Sequence, residues 1–552
     1  MLAREIEPRR LTHDALIVGA GFGGLYQLYK LRQLGMDVKV IDTASDVGGT
    51  WYWNRYPGAM SDTESYLYRY SWDDDDLFTS PNRYVMGPEI FTYLRGVADR
   101  HDLRRHIELE TSLVSAVYDE HLNSWTVTTS RDQIITVRYL ITALGLLSKI
   151  NYPDIPGIPD FQGEKYHTAA WPENLDLTNK RVGIIGNGST GVQVITALAK
   201  EGKVQRLISF QRHPQYSVPA GNRALTERER VDINASYQDI WPSVKDSATA
   251  FGITESLTPM AAIAPEKRKA VLQKAWDEGN AFRYMFSTFA DITYNEDANE
   301  AAADFIREKI RETVKDPEKA RKLCPSEPYA RRPLCDSGYY EQFNKDFVDI
   351  VSLKENPIAK FNERGLALQD GSEIELDVII FATGFDAVDG SYKNVTIKGR
   401  SGIDLKDHWR ETGPASFMGI AVAQYPNLFM ILGPNGPFAN NPPAIETQAE
   451  LITDCIAYAE HFATTQDKHA VAAPAIEVAE EAEQNWTDLC DQASANSLFR
   501  KIDSSWIFGQ NIKGKRFSSL FYFPGLGEYR RRIQEMKANG WAGFLLSVGH
   551  AA

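Results

Sequence analysis

Residues 14–42 read DALIVGAGFGGLYQLYKLRQLGMDVKVID and decide the fold. A short apolar run ends at Val18, glycines follow at Gly19, Gly21 and Gly24, and an amphipathic helix comes next. In such a turn the first glycine permits the tight bend, the second lets a pyrophosphate approach, and the third lets the helix pack closely on the strand. The helix N-terminus offers unpaired N–H groups to the phosphates. The stretch therefore predicts a dinucleotide site.

The same plan recurs at residues 181–199, RVGIIGNGSTGVQVITALA, with glycines at Gly186, Gly188 and Gly191. One such loop alone is weak evidence, because a plain glycine turn looks the same. Here both loops follow an apolar strand and both open a helix, so we expect two dinucleotide sites in one chain.

The residue that ends the next strand differs between the two sites. Asp42 closes KVID, and a carboxylate there can accept hydrogen bonds from a ribose diol while it repels a 2′-phosphate. Arg212 closes VQRLISFQR and suits that phosphate as a fixed cation, although a surface arginine is the alternative. The second site is therefore predicted to prefer NADP(H) to NAD(H), and the first to hold a dinucleotide without the phosphate.

Repeated strand–loop–helix units predict an α/β fold with two nested Rossmann-like dinucleotide-binding domains, the second inserted into the first. Within the second domain, between its glycine loop and its return, lies a charged segment with helical periodicity, which predicts a helical insertion. Its apolar stripe is formed by Ala302, Phe305, Ile306, Ile310 and Val314, and Asp316-Pro317 looks like the cap and first turn of another helix. The predicted boundaries are 1–150 and 381–552 for the first domain, 151–223 and 331–380 for the second, and 224–330 for the insertion.

The composition excludes several function classes. The 552 residues carry a formal charge of −14, which argues against nucleic acid or an anionic membrane as a partner. The four cysteines form no CxxC pair, which is typical of a reducing compartment without a zinc site. No apolar signal core opens the chain, and no apolar run approaches the roughly eighteen residues of a membrane span. We expect a cytoplasmic protein with no metal site, and we interpret the acidic run Asp73–Asp76 as a solvated loop.

Two dinucleotide sites in one chain indicate electron transfer from NADPH to a bound flavin. A disulfide reductase would need a CxxxxC motif near the first site, and the sequence has none. Oxygen is then the remaining acceptor. In the segment 48–65, GGTWYWNRYPGAMSDTES, glycines and aromatics suit a flat flavin face, although an aromatic core patch is the alternative. Arg331 and Arg332 could reach the cleft between the domains and stabilise an oxygen anion there.

Residues 161–172, FQGEKYHTAAWP, carry a resemblance to a known family. They are similar to the fingerprint of type I Baeyer–Villiger monooxygenases, and the likeness runs nearly end to end and is closest to the cyclohexanone monooxygenase type. Flavin-dependent N- and S-oxygenating relatives usually carry tyrosine where Trp171 stands. The residues that carry the first fingerprint are Phe161, Gly163, His167, Trp171 and Pro172, and those of a second signature are Gly49, Trp51, Tyr56, Pro57, Gly58 and Asp62.

The resemblance implies an NADPH- and O2-dependent oxidoreductase that inserts one oxygen atom into a ketone through a C4a-peroxyflavin and forms a lactone or ester. It places FAD at the first site and NADP(H) at the second. The family's catalytic arginine falls on Arg332 and its carboxylate partner on Asp62, and Arg331 falls beside the NADP 2′-phosphate. His167 is implied to be a pivot for domain motion and Trp171 to anchor the linker in the first core, with simple packing as the alternative for both.

The resemblance and the glycine loops together predict the residues of the site. The predicted cofactor-binding residues are Gly19, Gly21, Phe22, Gly24, Asp42, Gly49, Thr50, Trp51, Asp62, Gly186, Gly188, Ser189, Thr190, Gly191, Arg212, Arg331 and Trp506. The predicted substrate-pocket residues are Leu144, Phe282, Phe438 and Asn441. Some positions depart from the cyclohexanone type: Ala439 and Asn441 stand where threonine and leucine are usual, and Asn280 and Ala281 where glycines are common. These departures bear on which ketone is used, not on the reaction.

Three other functions stay open at this stage. A flavin N- or S-oxygenating monooxygenase on the same fold would carry tyrosine in place of Trp171 and have no need of Arg332, so the sequence argues against it. A non-catalytic FAD/NADP redox sensor would tolerate a broken site, yet Asp62, Arg332, both glycine loops and Arg212 are all present. The release of hydrogen peroxide, as by an NADPH oxidase, stays open as a side activity. The expected partners are a small ketone and O2, and the sequence does not decide the oligomeric state.

Overall fold

The structure is a computed structural model that describes residues 10–73, 77–466 and 473–548. The strands are β1 (Arg10–Val18), β2 (Val38–Ile41), β3 (Met60–Glu64), β4 (Tyr84–Met86), β5 (Ile107–Glu108), β6 (Leu113–Asp119), β7 (Ser124–Thr129), β8 (Ile134–Thr142), β9 (Lys149–Ile150), β10 (Glu164–His167), β11 (Arg181–Ile185), β12 (Arg206–Gln211), β13 (Ser217–Pro219), β14 (Leu334–Asp336), β15 (Val348–Ser352), β16 (Ile358–Asn362), β17 (Gly365–Leu368), β18 (Glu373–Glu375), β19 (Val378–Phe381), β20 (Phe385–Asp386), β21 (Thr396–Lys398), β22 (Leu428–Met430), β23 (Gly436–Pro437), β24 (Pro474–Val478), β25 (Phe521–Tyr522) and β26 (Phe544–Val548).

The helices are α1 (Phe22–Gln33), α2 (Thr50–Trp53), α3 (Gly87–Arg100), α4 (Ser189–Glu201), α5 (Glu227–Ala235), α6 (Tyr237–Asp246), α7 (Pro265–Glu278), α8 (Ala281–Phe286), α9 (Glu296–Thr313), α10 (Pro317–Leu323), α11 (Tyr339–Gln342), α12 (Leu405–Thr412), α13 (Asn441–Gln466), α14 (Glu480–Ser494) and α15 (Gly525–Ala538). Among the described residues, none of the helices combines the length and the apolar character needed to span a bilayer.

The first predicted strand lies in the middle of the larger sheet. Its strands run in the order β21-β6-β7-β8-β1-β2-β5, with β22 beside β8, and β1 is parallel to both β2 and β8. Ala15, Leu16 and Ile17 of β1 are fully buried. A continuous apolar run of this kind is what a parallel strand needs when both faces of its sheet are covered.

The smaller sheet contains the second glycine-loop strand. Its order is β10-β19-β11-β12-β15, and all its neighbouring strands are parallel. The chain leaves the larger sheet after β8 and returns to it at β21, after it has formed the smaller sheet. The predicted fold class, two nested Rossmann-like units in an α/β chain, is therefore confirmed.

The predicted helical segment contains α5 to α10. The stripe of α9 is buried as expected, and Asp316 caps α10 by accepting hydrogen bonds from the N–H groups of Glu318 and Lys319 at 2.8 and 3.0 Å. The segment does not pack against a single core, however, because Tyr237 and Trp241 of α6 belong to the core of the larger sheet. The later helices pack against the core of the smaller sheet.

Two expectations about single side chains are wrong. Trp171 packs against the core around the smaller sheet and not against the first core. Asp73 is not solvated: its side chain is fully buried, and its carboxylate pairs with Arg100 at 2.6 Å and with His101 at 3.0 Å. The rest of that acidic run, residues 74–76, lies outside the described residues.

Candidate active site

The first glycine loop connects the carboxyl end of β1 directly to α1. Gly19 has a φ of +111°, and a Cβ added to Gly24 would lie 1.7 Å from the carbonyl oxygen of Gly19. Only glycine permits this close approach of helix and strand. Asp42 follows β2, and its carboxylate accepts hydrogen bonds from the backbone N–H groups of Ala20 at 2.6 Å and Ala44 at 2.8 Å. Burial raises the pKa of Asp42, and these two hydrogen bonds oppose the rise.

The second loop repeats this geometry at the carboxyl end of β11. Gly186 has a φ of +105°, and a Cβ added to Gly191 would lie 2.3 Å from the carbonyl oxygen of Gly186. Neither α1 nor α4 has a side-chain cap, so the first-turn N–H groups of both helices are open to an anion. Arg212 follows β12 with an exposed side chain. The residues of both loops therefore fit a bound dinucleotide.

A cavity of about 1540 Å³ is lined by residues of both glycine loops. Four predicted residues do not line it: Gly24 and Gly191, which let each helix pack on its strand, and His167 and Trp171 of the linker. The predicted residues that do line it are Gly19, Gly21, Phe22, Asp42, Gly49, Thr50, Trp51, Asp62, Leu144, Gly186, Gly188, Ser189, Thr190, Arg212, Phe282, Arg331, Arg332, Phe438, Asn441 and Trp506.

Asp62 and Arg332 form an ion pair in the cavity wall. Asp62 lies on β3 and Arg332 just before β14, and 2.7 Å separates Asp62 Oδ2 from Arg332 Nη1. The side chain of Asp62 is 4% exposed and that of Arg332 is 33% exposed. The carboxylate is thus enclosed in protein while the guanidinium faces the cavity. The other oxygen of Asp62, Oδ1, is buried with no hydrogen-bond partner among the described residues.

The charges of this pair are shaped by burial. Burial raises the pKa of Asp62, because a desolvated carboxylate is disfavoured, and the neighbouring guanidinium opposes that rise. Burial also disfavours the charged form of Arg332, but the Asp62 carboxylate more than offsets it, so the pKa of Arg332 is raised. Arg332 therefore provides a fixed positive charge beside the cavity.

Arg332 also contacts an aromatic wall and the second glycine loop. Its Cζ lies 5.4 Å from the ring centroid of Phe282, within the range of a cation–π contact. Phe282 stacks on Phe251, with 4.0 Å between ring centroids and 20° between ring planes. Arg332 Nη1 donates a hydrogen bond to Ser189 Oγ, at the start of α4, over 3.3 Å. One guanidinium thus connects β3, the second loop and the wall of the cavity.

Arg331 has a different set of partners. Its Nη2 lies 2.7 Å from Glu327 Oε2 and donates to the carbonyl oxygen of Asp503 at 2.9 Å. The other oxygen of Glu327 lies 2.5 Å from His213 Nδ1. Arg331 therefore already has an acidic partner at the cavity wall, and its contact with a 2′-phosphate stays a prediction.

Comparison with known proteins identifies the family. Residues 16–240 match the family model for pyridine nucleotide-disulphide oxidoreductases. A Baeyer–Villiger monooxygenase from Pseudooceanicola batsensis is 48% identical to the chain over 535 residues, which cover 96% of each protein. The chain belongs to the Baeyer–Villiger monooxygenases. The family membership predicted from the sequence is therefore confirmed.

Two further proteins are similar to the chain over almost their whole length. Phenazine N-monooxygenase PhzNO1 from Lysobacter antibioticus is 48% identical over 97% of each chain. The crystal structure of cyclohexanone monooxygenase from Rhodococcus sp. Phi1 bound to NADP+ has 51% identity and a TM-score of 0.94, and the match covers 98% of this chain and 100% of that one. The chain thus resembles both a ketone-oxygenating and a nitrogen-oxygenating enzyme.

The linker of this Baeyer–Villiger monooxygenase places His167 at the end of β10. The side chain is 1% exposed, and its Nδ1 accepts a hydrogen bond from the N–H of Ala169 at 3.1 Å. Burial lowers the pKa of His167 to about 4, so the ring is neutral at neutral pH. Its role as a pivot stays a prediction.

Trp506 lies in a loop that is fixed to the remainder of the protein. Its ring meets Phe521 edge-on at a centroid distance of 5.7 Å. Further along the loop, the side chain of Lys515 is 5% exposed, and its Nζ lies 2.8 Å from Asp386 Oδ1 and pairs with Asp389. A buried lysine between two carboxylates therefore holds this loop against the strand β20.

Sequence reasoning missed several residues of the site. Phe251 supports Phe282, and Asn440 lines the cavity and accepts a hydrogen bond from Thr63 Oγ1 at 3.0 Å. Lys515 was also missed. Each of these residues acts through a partner far away in the sequence, and no short motif marks such a pair.

Proposed function

We propose that this Baeyer–Villiger monooxygenase uses NADPH and O2 to convert cyclic ketones to lactones. One oxygen atom enters the bond beside the ketone carbonyl, and the other leaves as water with electrons from NADPH. The observation that carries the proposal is the Asp62–Arg332 pair in the wall of a cavity shared by two dinucleotide loops. A fixed cation beside the reacting oxygen is what stabilises an anionic oxygen nucleophile.

FAD is assigned to the first loop and NADP(H) to the second. Gly19, Gly21 and Asp42 would hold the FAD pyrophosphate and ribose, and Arg212 would meet the 2′-phosphate of NADP(H). When both are bound, FAD reduced by NADPH supplies the chemistry that activates O2. Trp506 would contact the nicotinamide cofactor from the loop held by Lys515.

We assign distinct roles to the two members of the ion pair. Arg332 stabilises negative charge on the attacking oxygen and on the ketone oxygen as the carbonyl is attacked. Asp62 holds the guanidinium in place and balances its charge in a buried site. Arg331 is assigned to the 2′-phosphate, with Glu327 holding it until the cofactor binds. His167 is assigned to the coupling of the linker with domain motion.

The proposed substrate pocket is largely apolar. Leu144, Phe282 and Phe438 would surround the hydrocarbon part of a ketone, and Asn441 adds one polar group at the start of α13. A hydrophobic pocket with few polar groups suits a small ring with a single carbonyl. Cyclohexanone monooxygenase, 47% and 48% identical in two further structures, has been solved with cyclohexanone and with ε-caprolactone, which supports this substrate class.

Oxygen transfer to an aromatic nitrogen is the second candidate. The phenazine N-monooxygenase is as similar to the chain, at 48% identity, as the Baeyer–Villiger enzyme is. Trp171 argues against nitrogen oxygenation, but this similarity keeps that reaction in the test.

The domain boundaries and the compartment are also proposals. We assign residues 1–150 and 381–552 to the FAD domain, 151–223 and 331–380 to the NADP domain, and 224–330 to the helical insertion. We place the enzyme in the cytoplasm, because its four cysteines are free thiols.

The proposal is tested with the FAD-loaded protein in air. It is incubated with NADPH and either cyclohexanone or phenazine, the products are separated by chromatography, and hydrogen peroxide is titrated in parallel. Lactone formed in step with NADPH consumption supports ketone oxygenation. Formation of an N-oxide with no lactone would instead support oxygen transfer to nitrogen, the second candidate. NADPH consumption that yields only peroxide, with these and with larger ketones, would contradict both.

A further inference from the structure

Asn280 occupies a buried position beside the ion pair. It directly precedes α8, its side chain is 3% exposed, and its φ of +81° is one that glycine adopts most readily. By the resemblance, glycine is common at this position in the cyclohexanone type. An asparagine at such a site accepts a strained backbone, and its carboxamide must contribute something that glycine does not.

The carboxamide of Asn280 makes every hydrogen bond that it is able to make. Nδ2 donates to the carbonyl oxygen of Asp62 at 3.0 Å and to Tyr84 Oη at 2.9 Å. Oδ1 accepts from the N–H groups of Phe282 at 2.9 Å and Arg283 at 3.3 Å. Because both of these backbone groups are donors, they fix the oxygen end of the amide. The side chain thus ties the backbone of Asp62 to the helix that carries Phe282.

The same segment is also bonded to the Arg332 side of the pair. The N–H of Asn280 donates to the carbonyl oxygen of Pro219 at 2.9 Å, and Pro219 pairs with β14. The N–H of Ala281 donates to Cys335 Sγ on β14 at 3.3 Å. Asn280 therefore lies where β3, β14 and α8 meet.

We propose that Asn280 is a positioning residue whose carboxamide sets the placement of Asp62 relative to Arg332 and Phe282. This inference rests on the proposed function, because the ion pair must act on oxygen for its placement to matter. Without the Nδ2 donor, Asp62 loses its tie to α8, and the guanidinium is no longer held in its place at the cavity wall. More of the oxygen is then released as peroxide, by the balance NADPH + H⁺ + O2 → NADP⁺ + H2O2, in place of lactone.

Two substitutions separate positioning from helix capping. Asn280→Asp keeps an oxygen that caps α8 but has no N–H to donate to Asp62. Asn280→Gly suits the positive φ and removes both the cap of α8 and the hydrogen bond to Asp62. The matched control is Asn295→Asp, because Asn295 caps α9 in the same way, accepting from the N–H groups of Asp297 at 3.0 Å and Ala298 at 3.2 Å.

The readout is the ratio of lactone to hydrogen peroxide formed per NADPH. A loss of folded protein lowers both products together and leaves this ratio unchanged, so the ratio reports positioning. We expect it to fall by about tenfold in both Asn280 variants, since small misplacements of catalytic groups cost about 10- to 100-fold. Asn295→Asp should leave it unchanged. Crystal structures should show the Asp62 Oδ2 to Arg332 Nη1 separation, 2.7 Å here, lengthened in both Asn280 variants.

An unchanged ratio and an unchanged separation in Asn280→Asp would mean that Asn280 only caps α8, and the inference would be wrong. If the unmodified protein forms no oxygenated product at all, the proposed function fails instead. The separation measured in the variants would still decide whether Asn280 places Asp62.

Discussion

Arg332 is the single residue on which the proposed chemistry most depends. Arg332→Lys keeps the charge but loses the planar guanidinium whose Nη1 meets Asp62 and which lies over Phe282. We expect product formation to fall by about 10²- to 10³-fold, the usual cost of one lost charge-stabilising donor. Reduction of the flavin by NADPH should stay near normal in stopped-flow absorbance.

The control for this prediction is Arg364→Lys, because the side chain of Arg364 is 74% exposed and pairs with a surface glutamate. Normal product formation by Arg332→Lys or Arg332→Ala would show that Arg332 takes no part in the reaction.

Arg212 is the residue proposed to select NADPH over NADH. Arg212→Ala should raise the KM for NADPH by about tenfold or more, since a charge-assisted hydrogen bond contributes about 1.5–3 kcal/mol. The KM for NADH should change little, because NADH has no 2′-phosphate. Initial rates with each cofactor measure this, with Arg206→Ala at the start of β12 as control, since Arg206 pairs with Asp349 at the surface. Equal effects on the two cofactors would contradict the role of Arg212.

The linker strand β10 makes stability depend on pH through His167. Its pKa is about 4 in the folded protein, against 6.5 for an unperturbed histidine. The unfolded chain therefore binds more protons between these values, so this contribution is full above pH 6.5 and is lost as the pH falls towards 4. The loss amounts to about 3 kcal/mol.

His167→Gln should lack this pH-dependent loss. Urea unfolding at a series of pH values measures it, as the change in the free-energy difference between variant and unmodified protein. His121→Gln, at an exposed position, is the control. Parallel curves for His167→Gln and the unmodified protein would show that the buried ring does not titrate in this way.

A buried lysine, together with Asn511, ties the loop that carries Trp506 to β20. Lys515→Met leaves Asp389 enclosed without this counter-ion, while Asp386 keeps Lys393 at 2.6 Å, and we expect the free energy of unfolding to fall by about 3–5 kcal/mol. Denaturant unfolding measures the loss. Lys513→Met is the matched control: Lys513 is 93% exposed, and its removal should change stability by less than about 0.5 kcal/mol. A similarly small change in Lys515→Met would mean that the cluster does not hold the loop.

Elements with a local chemical cause could be predicted from the sequence. The glycine loops, the stripe of α9 and the cap at Asp316 all follow from residues a few positions apart. Partners distant in sequence could not be predicted. Asp73 is buried because Arg100 and His101 at the end of α3 reach it, and Trp171 joins the second core because β10 does.

The candidate site shows the same division. Family resemblance named Asp62 and Arg332, but only the folded chain gives their contact of 2.7 Å. Asn280 was visible only as a departure from the family pattern, since two of its four hydrogen-bond partners, Asp62 and Tyr84, lie far away in the sequence. Phe251 had no signal at all, because its stacking on Phe282 joins two separate stretches of the helical segment.

The whole molecule is built around a cavity that both units share. A ligand that binds only the folded protein stabilises it by about 2.7 kcal/mol at 100 times its Kd. We therefore expect NADP+ to raise the melting temperature of the FAD-loaded enzyme in a concentration-dependent way, and its removal to reverse the shift. NAD+ is the control and should act only at higher concentration, because Arg212 lines the cavity. Equal shifts with the two would contradict a site selective for the phosphate.

The proposed pocket role of Phe282 couples the substrate range of this enzyme to its chemistry. The same ring walls the cavity, lies under the Arg332 guanidinium and stacks on Phe251. A mutation that shortens it to admit a bulkier ketone also removes a support of the arginine, so the first step along that evolutionary path costs turnover. Phe438 lines the same cavity but stacks on Phe523. A lineage selected for larger substrates is therefore expected to accumulate changes at Phe438 before Phe282, and directed evolution would reach new ketones sooner from that side.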